Sequence, residues 1–295
     1  MNPLDLSIIT VNYNGAKDTV VMIESLHDNL SIPYEIIVVD NGSRENEAVL
    51  LQESYPFIKA IRSEKNLGFA GGNNVGIEAA SGEYLFFLNN DTYVQDGSIS
   101  HLLDAMKRDS SLGGISPKIL FADEEGGIQF AGYTPLSRVT LRNRLIGCRE
   151  SDKGQHDVVS ATPYMHGAAM LVRREAITKA GKMPELYFLY YEELDWSVRI
   201  RQAGYRLEYH PSATVYHRES SSTGQESPLK IFYMTRNRLL FARRNLTGWQ
   251  RVLSIVYQVG IAIPKGILTS LLKGRFSLVK ATVKGCVSFF KIHSS

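Results

Sequence analysis

With 295 residues, 44% of them hydrophobic, the chain is long enough to bury a substantial core in one large domain or two. Charged residues make up 21% and the net charge is +3, an ordinary soluble composition that excludes a disordered chain or a fibrous repeat. Cys148 and Cys286 lie far apart, so they predict neither a disulfide framework nor a zinc site, and they fit a reducing compartment. The amino terminus, MNPLDLSIITV, has an acidic residue and only a brief apolar run, so we expect no signal peptide.

Charge is distributed unevenly along the chain. Residues 227–295 contain 12 Lys or Arg and no Asp or Glu, whereas residues 1–226 contain 21 basic residues and all 30 acidic ones. An acidic body followed by a basic tail predicts two regions with different tasks. We therefore place a domain boundary between residues 226 and 227.

The first part of the chain alternates short apolar runs with helical periodicity. Strands are predicted at Leu6–Val11, Tyr34–Asp40 and Phe57–Arg62, with a helix after each of the first two. This alternation predicts parallel βαβ units in a doubly wound α/β layer. The glycine-rich stretch Asn66–Gly76 is predicted to be a turn that approaches a ligand closely before a helix begins near Val75.

The most informative stretch is Gly82–Thr92, GEYLFFLNNDT. Tyr84–Leu88 has the length and aromatic content of a buried strand, and Asn89, Asn90 and Asp91 follow it directly. In open α/β sheets, ligands bind at the carboxyl ends of the strands. A carboxylate at that position can hold a divalent cation, and the cation can hold a diphosphate, although Asn and Asp are also common turn residues.

The later part of the chain contains two further groups of polar residues near element ends. A helix near Ser98–Asp109 and strands at Leu112–Ile119 and His166–Val172 are predicted, whereas residues 122–160 show no clear period. Glu192 and Glu193 fall at the amino terminus of a helix, where acids also complement the helix dipole. Two short strands are predicted on either side of Pro211, and the second ends on His217.

Taken together, these segments resemble family 2 glycosyltransferases of the GT-A fold, nearest to the rhamnosyltransferase-like bacterial branch. The matching motifs span residues 5 to about 245 and are far more specific as a set than singly. They are SIITVNYNG at 7–15, IIVVDNGS at 36–43, NLGFAGGNNVGI at 66–77, FLNNDT at 87–92, HGAAMLVRRE at 166–175, YYEELDWSVRIRQAGY at 190–205 and VYHRES at 215–220. The resemblance implies a Rossmann-like, mostly parallel sheet in a catalytic domain, residues 1–226, followed by C-terminal helices.

The resemblance also implies roles for individual residues. Asn89–Asp91 occupies the family's DxD position, so Asp91 is expected to bind Mg²⁺ or Mn²⁺ that bridges the donor diphosphate. Because Asn89 replaces the first acid of that motif, His217, water and phosphates are expected to complete the metal site. Contacts with the donor nucleotide are implied for Thr10, Asn12, Asp40, Asn66, Gly68, Asn89 and Asn90.

The implied reaction is a single displacement at the anomeric carbon with inversion. The family's usual Glu-Asp pair is Glu192-Glu193 here, and Glu193 is the candidate base, with Glu192 as the adjacent alternative. The resemblance suggests dTDP-rhamnose or a UDP-sugar as donor, and an acceptor in cell-surface polysaccharide synthesis, either a saccharide or a lipid-linked saccharide.

Two other functions stay open on the sequence alone. A sugar-phosphate nucleotidyltransferase can share this style of sheet, but it would need a glycine-rich, basic loop after the first strand, and NYNGAKD contains a single Lys17. A non-catalytic sugar-nucleotide-binding protein would fit the replacements at Asn89 and Glu193. The basic tail is accompanied by no nucleic-acid motif, so we expect no nucleic-acid partner.

The tail, residues 227–295, is predicted to form amphipathic helices that attach the enzyme to the cytoplasmic face of the inner membrane. Its apolar run between Trp249 and Leu272 approaches spanning length, but Gln258, Pro264 and Lys265 interrupt it, which favours an interfacial helix. The alternative for the tail is a helical lid or a homodimer contact.

Overall fold

The computed structural model describes residues 4–123, 126–218 and 227–292. These form two compact units. The sheet unit contains the described residues of 1–134, 145–186 and 192–219, and the helical unit contains those of 135–144, 187–191 and 220–295. Glu219 and Ser220, the end of the VYHRES motif, lie outside the described residues.

The sheet unit is built on one mixed sheet. In chain order its strands are β1 (Leu6–Asn12), β2 (Tyr34–Asn41), β3 (Lys59–Ser63), β4 (Tyr84–Leu88), β5 (Thr92–Tyr93), β6 (Leu112–Phe121), β7 (Ile128–Phe130), β8 (Ser160–Ala161), β9 (Ala169–Arg173) and β10 (Arg206–His217). The order across the sheet is β3-β2-β1-β4-β9-β6-β10-β5, and β7 and β8 pair with β6 and β10. β9 runs antiparallel between β4 and β6, whereas β10 is parallel to β6. The carboxyl ends of β1, β2, β4, β6 and β10 therefore share one edge.

Helices cover both faces of this sheet. They are α1 (Ala16–Asn29), α2 (Glu47–Ser54), α3 (Gly68–Ala79), α4 (Ile99–Arg108), α5 (Arg174–Ala180) and α6 (Glu192–Gln202). Along β4, Leu85 and Phe87 join the core under α3, α5 and α6, while Phe86 and Leu88 join the core under α1, α2 and α4. Because both faces are covered, β4 is apolar at every position, as the sequence predicted.

Two predicted elements and one unassigned region differ between the sequence analysis and the structure. The glycine-rich stretch is not a turn before a helix, because α3 begins at Gly68. Its glycines are tolerated because the helix lies very close to β1: a Cβ on Gly76 would come within 2.3 Å of Ile9 Cγ2. The two strands expected around Pro211 form one strand, β10, with a register shift between His210 and Thr214 that accommodates the missing proline N–H.

The third difference lies in residues 122–160, which the sequence left without assigned structure. They contain β7 and β8 and a loop that Lys118, a buried residue of β6, holds in place. The Lys118 ammonium pairs with Asp157 and, at 2.8 Å, with Asp152.

The helical unit consists of α7 (Pro228–Asn245), α8 (Gly248–Tyr257), a π-helical turn (Gln258–Ala262), α9 (Ile263–Leu272) and α10 (Phe276–Lys291). α7 begins at an N-cap, where the Ser227 hydroxyl accepts from the Lys230 amide, with Pro228 in the first turn. The π-helical turn ends just before Pro264, which has no N–H to donate and whose ring crowds the preceding turn.

Residues 248–272 form one continuous helix through α8, the π-helical turn and α9. By length and composition this helix could cross a membrane, and only 11% of its most apolar window is buried. Its exposed apolar side chains are Trp249, Val252, Leu253, Val256, Ile261, Leu268, Leu271 and Leu272. Length and composition alone are weak grounds for a span, but the low burial distinguishes this helix from a core helix.

Candidate active site

The residues after β4 adopt a tight, braced turn. The Asn89 amide donates to Ala168 O, and Asn89 O accepts from both the amide and the hydroxyl of Thr92. The side-chain nitrogen of Asn90, Nδ2, donates to Gly15 O at 3.3 Å and to the Thr19 hydroxyl at 3.2 Å. The turn thus ties the end of β4 to the start of α1 and fixes the position of Asp91.

Asp91 and His217 meet at the carboxyl edge of the sheet. Asp91 Oδ1 lies 3.1 Å from His217 Nε2, and both side chains are 9% exposed. They are adjacent because β5, which follows Asp91 directly, pairs with the end of β10. On the other side of the imidazole, His217 Nδ1 lies 2.8 Å from Gln129 Oε1. An amide oxygen only accepts, so Nδ1 carries the hydrogen.

This arrangement fits a divalent cation. When Nε2 of His217 carries no hydrogen, its lone pair lies beside the Asp91 carboxylate, and two acceptors so close are favourable if a cation lies next to both. Adjacent ligands of an octahedral ion with bonds of about 2.1 Å are themselves about 3 Å apart. Within the described ranges, no group of three or more His, Cys, Asp or Glu could hold a metal, so the protein would supply two ligands and the donor diphosphate and water the rest.

Three of the predicted donor-binding residues, Asn12, Asp40 and Asn90, are linked by one hydrogen-bond network along the same edge. Asn12 donates to Glu47 Oε2 at 2.6 Å and accepts from the Thr19 hydroxyl at 2.8 Å. The same Glu47 oxygen accepts from the Ser43 hydroxyl, and the Ser43 amide donates to Asp40 Oδ1. Thr19 in turn reaches Asn90, so the loops after β1, β2 and β4 are held together.

Asp40 is occupied on both carboxylate oxygens. Arg62 pairs with Oδ2 at 2.6 Å, and the Ala48 amide donates to the same oxygen. Asn66 Oδ1 accepts from the Gly68 amide and from the Asn41 side chain, and Gly68 has φ of +74°, which favours glycine. In this structure these groups shape the loops, and their direct contact with a donor nucleotide stays a prediction.

Thr10 lies in the middle of β1 and is fully buried. Its hydroxyl has no hydrogen-bond partner within the described part of the chain. Buried hydroxyls without a partner are uncommon. The position is therefore consistent with a place for Thr10 beside a bound nucleotide, and that role stays a prediction.

Glu192 and Glu193 open α6 but have different surroundings. Glu192 is 3% exposed, whereas Glu193 is partly exposed. Glu193 Cγ would lie 3.9 Å from a Cβ placed on Gly167, so the missing side chain there leaves room beside the carboxylate. A base must reach an incoming hydroxyl, which favours Glu193 over Glu192. Asp195, also buried, pairs with Arg199 at 3.2 Å and has a structural role.

A histidine and a tyrosine, neither given a role by the sequence analysis, are influenced electrostatically by residues of the site. Burial, and secondarily the nearby His217 ring, lower the pKa of His166 to about 3. Its Nδ1 accepts from the Ala168 amide at 3.2 Å, so His166 is neutral with hydrogen on Nε2. Burial, and then the Glu193 carboxylate and the Cys148 thiol, raise the pKa of Tyr133.

The His166 and Tyr133 rings are stacked, with centroids 6.0 Å apart. His166 and Tyr133 therefore form a stacked pair, and the pKa of His166 responds to the His217 ring and that of Tyr133 to the Glu193 carboxylate. His166 opens a motif that carried the family resemblance, so a signal for it existed. Gln129 and Tyr133 lie in residues 122–160, where no periodicity or motif indicated them.

Solved structures with the same architecture identify the fold. GalNAc-T7, crystallised with UDP, GalNAc and Mn²⁺, matches 88% of this chain and 57% of its own, with a TM-score of 0.62 and 17% identity. A mannosyltransferase from Pyrobaculum calidifontis, in complex with GDP-Man and Mn²⁺, matches the whole chain and 77% of its own, with a TM-score of 0.58 and 14% identity. The fold is that of the GT-A glycosyltransferases.

The chain belongs to glycosyl transferase family 2, whose family model matches residues 7–181. Among curated relatives, the N-acetylglucosaminyl-diphospho-decaprenol L-rhamnosyltransferase of Mycobacterium tuberculosis is 24% identical over 274 residues, which is 83% of this chain and 86% of that protein. The predictions of family and fold are thus confirmed.

Proposed function

We propose that this protein is an inverting glycosyltransferase that moves a sugar from dTDP-rhamnose or a UDP-sugar to a saccharide or lipid-linked saccharide in cell-surface polysaccharide synthesis. The observation that carries the proposal is the pairing of Asp91 with His217 at the carboxyl edge of the sheet. Family membership favours this reaction over the nucleotidyltransferase alternative.

Asp91 and His217 would hold Mg²⁺ or Mn²⁺. When bound, the ion would neutralise charge that develops on the departing nucleoside diphosphate. Both structural neighbours named above were crystallised with Mn²⁺, which supports a divalent ion for this fold. Gln129 would fix the orientation of the His217 ring, as outer hydrogen-bond partners of metal-bound histidines do.

Glu193 would act as the base. Its carboxylate takes the proton of the acceptor hydroxyl while that oxygen bonds to the anomeric carbon from the face opposite the leaving group. The bond from the anomeric carbon to the diphosphate oxygen breaks with its electron pair, so the product has inverted configuration. Burial and the neighbouring carboxylate keep Tyr133 protonated, so its hydroxyl can donate a hydrogen bond at this end of the site.

The helical unit would attach the enzyme to the cytoplasmic face of the membrane. The name of the Mycobacterium tuberculosis relative describes a lipid-linked acceptor for that protein. The exposed apolar side chains of residues 248–272 and the basic residues around them support the same kind of acceptor here.

The experiment is a transfer assay with purified full-length protein and Mn²⁺. Labelled dTDP-rhamnose and UDP-sugars are offered with N-acetylglucosaminyl-diphospho-decaprenol in detergent, and the product's anomeric configuration is read by NMR. We expect one donor to be used, with inversion and with loss of activity in EDTA. Retention of configuration would overturn the mechanism. Donor binding without transfer or hydrolysis under any condition would favour the non-catalytic alternative.

A further inference from the structure

The helical unit contains a cavity of about 260 Å³, separate from the residues of the candidate active site. α7, α9, α10, the π-helical turn and the segment of residues 135–144 all contribute to its wall. Six of its lining residues are polar or charged: Arg142, Thr235, Arg238, Gln258, Ser270 and Thr282. Drug-sized ligands occupy roughly 300–1,000 Å³, so this cavity suits a smaller group.

Two arginines give the cavity its charge. Arg238 Nε donates to the Tyr191 hydroxyl at 3.0 Å, and that hydroxyl donates to Leu141 O at 3.3 Å, next to Arg142 in the chain. Arg142 is exposed, and its guanidinium makes no ion pair with the described residues. The two guanidiniums therefore line one cavity, and no carboxylate among the described residues lines it with them.

Among the described residues of the helical unit, no acid compensates these cations. Its described residues contain Arg138, Arg142 and Arg144 in one segment and 12 further Lys or Arg in residues 227–292, but no Asp or Glu. A cavity lined by donors, in a unit whose described residues carry only positive charge, attracts anions. Arginine is well suited to a phosphate, which it can bind through two parallel hydrogen bonds.

One wall of the cavity belongs to the exposed apolar helix. Gln258 and Ala262 mark the ends of the π-helical turn, a distortion that often occurs at functional sites. Gln258 is 2% exposed and its side chain donates to Thr140 O at 3.0 Å, which fixes the segment that carries Arg142 against this helix. Ile261 and Leu268, on the same helix, are 56% and 57% exposed.

We infer that this cavity binds the phosphate-bearing head group of a membrane lipid, with the lipid's apolar chain along the helix of residues 248–272. A free phosphate would use the arginines but not the exposed apolar surface beside them, whereas a lipid phosphate would use both. The inference rests on the proposed function only in taking a membrane lipid as ligand. Its test involves no glycosyl transfer, so each can fail without the other.

The test measures binding of full-length protein to vesicles at about 0.3 M salt, where the Debye length is below 8 Å and diffuse attraction is weak. Vesicles are pure phosphatidylcholine, or phosphatidylcholine with phosphatidylglycerol, or phosphatidylcholine with a polyprenyl diphosphate at equal charge. Wild type should bind both anionic vesicles at least tenfold more tightly than the neutral ones.

Two pairs of variants distinguish binding in the cavity from a general effect of charge or of side-chain size. Arg142→Gln/Arg238→Gln should lose at least tenfold more affinity than Arg251→Gln/Lys273→Gln, which removes two charges outside the cavity. Gly266→Leu should also weaken binding because Gly266 lines the cavity, whereas Gly260→Leu should not. A Cβ at either glycine would meet no atom within 4 Å, so both variants should fold.

Three outcomes would overturn the inference. The first is equal loss in the two charge pairs, and the second is unchanged binding in Gly266→Leu with native melting behaviour. The third concerns the source of the anion: if millimolar inorganic diphosphate displaces wild type from vesicles as completely as excess anionic vesicles do, the cavity takes a free anion. Persistence of vesicle binding under inorganic diphosphate supports the lipid head group.

Discussion

The sheet unit and the helical unit differ in how their charged residues are balanced. Buried acids in the sheet unit have specific partners, as Asp40 does in Arg62 and Asp195 in Arg199. The described residues of the helical unit contain cations but no acids, and the buried Arg236 donates to a backbone oxygen, Tyr187 O, at 2.6 Å.

This difference indicates what each unit can do. A paired group acts at one fixed position, so the sheet edge is suited to chemistry. An unbalanced set of cations acts through its summed field on any anionic surface, so the helical unit is suited to attachment. Single substitutions at the sheet edge should therefore change turnover, and substitutions in the helical unit should change where the protein binds.

The largest effect is expected for Asp91→Asn. The substitution keeps the shape of the side chain but removes the charge opposite His217, and loss of a metal ligand costs several kcal/mol of transition-state stabilisation. Transfer should fall at least about a thousandfold, measured as kcat/KM with Mn²⁺ present. Asp104→Asn removes an exposed carboxylate of α4 from the same unit and should leave transfer unchanged. Normal turnover of Asp91→Asn in EDTA would contradict the metal proposal.

Glu193→Gln should lower kcat by about a hundredfold or more, the usual contribution of a general base, with donor affinity unchanged. The amide keeps the volume but cannot take the acceptor proton. Donor affinity is measured by calorimetry with the nucleoside diphosphate. Equal loss of affinity would assign Glu193 to donor binding, and wild-type kcat would transfer the role of base to Glu192.

The fold was predictable where one physical signal dominated. β4 is apolar at every position because helices cover both faces, and the abrupt change to Asn89, Asn90 and Asp91 marked the edge where the site lies. The start of α3 was placed too late because glycine has a low helix propensity, and the propensity was overridden by the close packing of Gly76 on Ile9.

The site was predictable only in part, for a related reason. Asp91 and His217 carried family motifs, whereas Glu47 and Gln129 act through partners far away in sequence: Glu47 holds Asn12, and Gln129 holds His217. Such partners are set by the tertiary arrangement of strands and loops. Nothing local in residues 122–160 indicated that Gln129 would face the sheet edge.

Substitutions on the exposed face of the helix of residues 248–272 test whether the helical unit attaches the protein to a membrane. Trp249→Ser/Val252→Ser/Val256→Ser removes three side chains that are at least 60% exposed, and should weaken vesicle binding about a hundredfold if each is half buried in lipid. Flotation with anionic vesicles is the measurement.

The control for this triple variant is Leu50→Ser/Val158→Ser, which removes exposed apolar side chains from the sheet unit and should float normally. A triple variant that floats like wild type but sediments as a smaller species would instead identify the face as a homodimer contact. Transfer to a water-soluble acceptor should be the same in all of these proteins.

A smaller effect is expected for His217→Gln. The amide keeps a polar group beside Asp91 but is a weaker ligand than imidazole, so the Mn²⁺ concentration at half-maximal transfer should rise about tenfold. Maximal turnover at saturating Mn²⁺ should fall much less than in Asp91→Asn. An unchanged Mn²⁺ midpoint would show that His217 serves only to position Asp91.

The smallest effect is expected for Lys118→Met, which tests whether ion pairs in the sheet unit also hold its shape. Lys118 is 4% exposed and joins Asp152 and Asp157 to β6, but both carboxylates are partly exposed, so the loss should be about 1–3 kcal/mol in the free energy of unfolding. Lys107→Met is the matched control, because its pair with Asp5 is exposed on both sides, and it should cost less than about 1 kcal/mol.

The difference in the free energy of unfolding between wild type and Lys118→Met should depend on pH in a definite direction. Burial raises the pKa of Asp152, but hydrogen bonds from Lys118 and the Gly154 amide outweigh it, so the pKa lies below its ordinary value. A carboxyl whose pKa is depressed by folding stabilises the protein above its unfolded pKa, about 3.9, and loses that contribution as pH falls through the folded value. Denaturant melts should therefore show the full gap between wild type and Lys118→Met at pH 5–7 and a smaller gap below pH about 3.5. A gap that stays constant down to pH about 2.5 would mean that Lys118 stabilises β6 by packing and not through its ion pairs with Asp152 and Asp157.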